Sequence, residues 1–124
     1  MGSRGTMLEG GGFSVPNQWE TVDVIDGYKV IEPKDKSKKP NLPYVSNKPN
    51  DTYVKINDGK FSQIRKYEFD RLPVYDIDYG WHGDHIYLHI HYFVNERRLE
   101  GNDVFPLNKG DSLYEKYKHL FIGI

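Results

Sequence analysis

Residues 79–94, YGWHGDHIYLHIHYFV, hold four of the chain's five histidines: His82, His85, His89 and His91. Imidazoles titrate near pH 6.5 and repel one another once charged, so a cluster calls for a carboxylate, a metal or a phosphate beside it. Alternation along a strand over 85–94 sets His85, Tyr87, His89, His91 and Phe93 on one face. Ile86, Leu88, Ile90, Tyr92 and Val94 then form the other face, with Ile86, Leu88 and Ile90 expected in the core. A helix would part His91 from His85 and His89 and split the apolar set, so the strand is the coherent reading.

The preceding segment, VYDIDY, alternates in the same way and places Asp76 and Asp78 on one face. If it pairs with 85–94, the carboxylates meet the imidazoles only in registers that set Asp76 or Asp78 opposite an odd-numbered residue; a one-residue slip puts them opposite Ile and Leu. A carboxylate on one ring nitrogen fixes the tautomer and raises the basicity of the other, which serves acid–base catalysis and metal ligation equally.

Two chemistries fit these residue types. In phosphodiester transesterification, one histidine takes the 2′-hydroxyl proton, another protonates the leaving oxygen, and a cation steadies the phosphorane. His89 and His91 would be the acid and base, His82 a third catalytic or phosphate-contacting imidazole, and Arg65 with Arg97 the phosphate anchors. No cofactor is needed for this route. The alternative is a divalent metal such as zinc, held by His82, His85, His89 and His91, since alternate residues of one strand can reach a single ion. Without cysteine, such a site is all nitrogen and oxygen.

The surrounding sequence must position this strand. Asp26-Gly27 and Asp58-Gly59 each stand between alternating apolar runs and predict tight hairpin turns. Pro73 suits the first residue of a strand. The segment 33–50 carries Pro33, Pro40, Pro43 and Pro49 among five lysines and reads as an exposed Lys/Pro-rich loop. Near the end, Asp111 or Ser112 can cap a short helix with Leu113, Tyr117 and Leu120 at helical spacing. The expectation is an α+β protein: a mostly antiparallel β-sheet built from hairpins, with a short C-terminal helix.

The 124 residues suit one globular domain over 13–124. The opening MGSRGTMLEGGG has five glycines and no periodicity, so 1–12 reads as a disordered or tag-derived segment. Seventeen basic against 18 acidic residues, a net charge of -1, give no overall pull toward polyanions. No apolar run approaches the roughly 18 residues needed to span a bilayer, and no signal-peptide pattern opens the chain, so a soluble chain with no membrane partner is expected.

The order IRKYEFDRLPVYDIDY, then HGD, then HIHYFVNERR resembles a module recurring at the ends of phage-encoded and polymorphic-toxin proteins of Gram-positive bacteria. There an Arg-x-Tyr strand, an Asp-Ile-Asp-aromatic strand, a His-Gly and a His-x-His follow one another. Many such modules are grouped with the barnase, EndoU, colicin and RelE-like nucleases. The resemblance carries over to Arg65, Tyr67, Asp76, Asp78, His82, His89 and His91. It implies RNA cleavage by histidine acid–base chemistry, an immunity or phage protein as partner, and a bacterial cytoplasmic or secreted setting. The contrasting expectation is a non-catalytic binding or metal-binding module of a phage or mobile-element protein.

Overall fold

The computed structural model describes residues 18–38, 40–82 and 84–124. The opening segment 1–12 lies outside them. Eight strands form one connected sheet: β1 (Trp19–Ile25), β2 (Tyr28–Pro33), β3 (Thr52–Asn57), β4 (Lys60–Tyr67), β5 (Pro73–His82), β6 (His85–Val94), β7 (Arg97–Arg98) and β8 (Phe105–Pro106). The first seven lie side by side in chain order, and β8 also pairs with β6. Among the described residues one short α-helix, α1 (Ser112–Tyr117), follows and runs into a 3-10 turn over Lys118–Leu120.

Both Asp-Gly turns have the backbone they imply. Asp26 and Gly27 take φ of 52° and 81°, and Asp58 and Gly59 take 50° and 76°, the paired positive angles that match hairpin twist. All strand pairs are antiparallel except one. β2 and β3 run parallel, because residues 34–51 cross over the sheet instead of turning back. The front of this segment is exposed as expected, but Leu42 is buried and packs with Trp19, Ile31, Tyr53 and Tyr67.

The sheet therefore has two covered faces. On one, Val30, Val54, Ile64, Tyr75, Ile77 and Ile90 meet Tyr117 and Leu120 of the C-terminal segment. An extra residue in β4, opposite the Lys55/Ile56 step, shifts the alternation so that Phe61 joins this face with Ile64. The other face carries Arg65, Tyr67, Asp76, His89 and His91 under the crossover.

This corrects the expected burial of β6. Only Ile90 of its three core candidates is buried; Leu88 is half-buried and Ile86 is 43% exposed. The reason is topological: β4 pairs with β5 only as far as Gln63↔Asp78, and β8 reaches only His89 and Ile90. The tip of the β5–β6 hairpin thus extends past its neighbours. The imidazole face, by contrast, is dry, with His89 and His91 each 4% exposed.

Candidate functional site

The β5–β6 register sets Asp76 opposite His91 and Asp78 opposite His89. Both carboxylates thus meet odd-numbered residues of β6, as the shared polar face requires. The two imidazoles pack edge to face with ring centres 5.1 Å apart. His89 Nδ1 lies 3.0 Å from the Tyr87 carbonyl, and His91 Nδ1 lies 2.8 Å from the Leu99 carbonyl. A carbonyl only accepts, so each Nδ1 carries a proton, and a ring in its neutral form presents an unprotonated Nε2. Those Nε2 atoms lie 3.9 Å (His89) and 3.5 Å (His91) from the same atom, Asp78 Oδ2. Asp78, His89 and His91 make up the one group of ligating side chains found close enough to share a metal ion among the described residues.

Arginines complete the cluster. Arg65 grips Asp76 with two parallel hydrogen bonds, Nε to Oδ1 at 2.6 Å and Nη2 to Oδ2 at 2.7 Å, and its Nη1 donates to the Leu42 carbonyl at 2.9 Å. Burial alone would lower the Arg65 pKa, but the hydrogen bond and charge of Asp76 outweigh it and the net shift is upward. Arg98 Nη2 donates to Asp78 Oδ2, while its Nε stands 3.3 Å from Asp76 Oδ2 and 3.7 Å from Glu100 Oε2. Burial, with the neighbouring Asp76, raises the Asp78 carboxyl above the ordinary range; Arg98 and the two histidines pull it back. A cleft of about 560 Å³ opens above the cluster, bordered by Asp78, His89, Arg98, Gly80, Trp81 and Tyr44 among others.

The sequence candidates divide accordingly. Asp76, Asp78, His89 and His91 come together. Arg65 is placed beside them and borders the cleft, with its Nε and Nη2 on Asp76 and its Nη1 on the Leu42 and Pro43 carbonyls. Tyr67 is buried and donates its hydroxyl to the Pro43 carbonyl, which makes it part of the wall under the crossover. Arg97 is exposed and pairs with Val94, so it stands on the opposite side of the strand from the cluster. His82 and His85 pair across the hairpin end; their side chains lie outside the described residues.

In sequence Arg98 is one of several cations near the histidines, with Arg65, Lys66 and Arg97, and the anchor roles fall to Arg65 and Arg97 instead. A signal exists: if Asn95-Glu96 is a two-residue turn, Arg98 falls opposite Phe93, on the histidine face. The turn is disguised because it has no glycine, although Asn95 and Glu96 both take positive φ, 51° and 64°. The orienting carbonyls of Tyr87 and Leu99 leave no mark in side-chain spacing at all.

No family model, no curated protein and no solved structure matches this chain. Among the described residues, no helix is long and apolar enough to cross a membrane.

Proposed function

We propose that this chain is a metal-binding domain whose centre is Asp78, His89 and His91, with an open coordination position toward the cleft. One observation carries the reading: two imidazoles, each tied at Nδ1 to a backbone carbonyl, turn Nε2 toward a single carboxylate oxygen. Zinc bonds of about 2.0–2.1 Å imply ligand–ligand edges of about 3.3 Å in a tetrahedron, close to the spacings of 3.5 and 3.9 Å seen here. A carbonyl behind each imidazole is the usual way to fix a ligating tautomer. Three protein ligands and an open position characterise hydrolytic zinc centres, where the ion activates water. This set is narrower than four histidines of one hairpin, since it replaces His82 and His85 by a carboxylate.

The test is calorimetric titration of the full chain with zinc chloride. One equivalent is expected to bind. His91→Ala should weaken binding by about 100-fold or more, since loss of an outer-shell partner alone costs 10–100-fold. Thermal melts of the metal-free variants separate lost ligation from lost folding. A parent chain that takes up no zinc sinks the proposal.

A second reading, RNA cleavage without metal, is favoured by one observation: His89 and Arg98 border the same cleft as Tyr44 and Trp81. In it, His89 acts as base, Arg98 meets the phosphate, and the phage or toxin setting with an immunity partner follows from the motif order. His91 does not border the cleft and is poorly placed for the acid. Incubation with labelled RNA separates the two: cleavage indifferent to EDTA supports the second reading, and cleavage abolished by EDTA supports the first.

A further inference from the structure

Two buried side-chain polar atoms lack a hydrogen bond among the described residues, and both belong to this cluster: Asp78 Oδ1 and Arg98 Nε. Arg98 Nε still has the carboxylate oxygens of Asp76 and Glu100 at 3.3 and 3.7 Å, whereas Asp78 Oδ1 is an acceptor with no donor, a deficit of about 1–3 kcal/mol that a cation would relieve. The charge balance then bears on what else the cleft takes. Arg65 offsets Asp76 and Arg98 offsets Asp78, so a divalent ion would leave two positive charges in excess at the cleft floor. The acids near enough to oppose them, Glu100 and Glu96, are exposed and screened by water.

We propose that the cleft takes a tetrahedral oxyanion of the phosphate class, held between the metal on Asp78, His89 and His91 and the guanidinium of Arg98. This rests on the metal reading above. The atom that would bind the ion, Asp78 Oδ2, is the one to which Arg98 Nη2 donates. An ion at bonding distance takes over that lone pair and repels the guanidinium. Nε of Arg98 keeps Asp76 Oδ2 and Glu100 Oε2 within reach, so the side chain pivots about these acids and turns its terminal donors to the cleft. A planar guanidinium fork then matches two oxygens of a phosphate, and the metal takes a third. Gly80 borders the cleft, and the space on its Cβ side is open, with no atom within 4 Å.

The experiment titrates inorganic phosphate into the zinc-loaded chain, cleared of unbound metal, and into the metal-free chain. Phosphate is expected to bind only the loaded form. Arg98→Ala should keep its zinc and lose phosphate affinity by about tenfold or more, with partial recovery in Arg98→Lys. A cobalt-loaded chain gives an independent readout, because an oxyanion on the metal shifts the visible spectrum. Normal zinc uptake with no phosphate binding, or an Arg98→Ala chain that binds phosphate like the parent, overturns this inference alone. Absence of zinc uptake sinks the metal reading and this inference with it.

Discussion

Two carboxylates two residues apart on β5 each meet an arginine, Asp76 with Arg65 of β4 and Asp78 with Arg98 of β7, and the two pairs differ in geometry and burial. The first is bidentate, its two side chains 8% and 0% exposed, and its Nη1 donates to the crossover at the Leu42 and Pro43 carbonyls. The second is held by one donor, is 29% and 21% exposed, and contains both of the unsatisfied atoms. A closed pair of the first kind locks two strands and a loop together, whereas a half-satisfied pair beside a cleft is poised to change partners. Arg65–Asp76 is therefore architecture, and Arg98–Asp78 is the part that can respond to a ligand.

The largest expected effect tests this contrast directly. Asp76→Ala leaves the Arg65 guanidinium buried without its partner and should cost about 3–5 kcal/mol in chemical denaturation. Asp78→Ala should cost about 1 kcal/mol or less in the metal-free chain, since Arg98 is partly hydrated and retains Asp76 and Glu100 nearby. Equal losses would erase the distinction between the pairs.

Next in size is the response to metal. Free zinc at 100 times its dissociation constant should stabilise the parent by about 2.7 kcal/mol, and this gain should vanish in Asp78→Ala. Persistence of the full gain without Asp78 would place the metal elsewhere. Smallest is Arg97→Ala, which should change stability and zinc affinity by no more than about 0.5 kcal/mol because its side chain faces away from the cluster.

The parts of the fold that follow local rules were legible from sequence. Asp26-Gly27 and Asp58-Gly59 announce their hairpins, alternation through VYDIDY and HIYLHIHYFV sets the carboxylates against the imidazoles, and Leu113, Tyr117 and Leu120 mark the closing helix. What was not legible depends on distant contacts. Leu42 sits alone in a lysine- and proline-rich loop, and nothing local shows that its segment crosses the sheet to make β2 and β3 parallel and to roof the histidine face. For the same reason, nothing local tells that the strand face carrying His89 and His91 is buried. The choice of Arg98 over Arg97 hangs on a glycine-free turn with a glutamate at positive φ, a conformation that side chains seldom adopt. The two carbonyls that orient the imidazoles belong to backbone geometry, which spacing of side chains does not encode.

The central claim, that His89 and His91 join Asp78 around one ion, is tested most directly by X-ray absorption at the zinc edge of the stoichiometrically loaded chain. The account predicts a first shell of nitrogen and oxygen at about 2.0–2.1 Å with outer-shell scattering from two imidazoles, reduced to one in His91→Ala. A shell of oxygen alone, or imidazole scattering unchanged by that substitution, would contradict it.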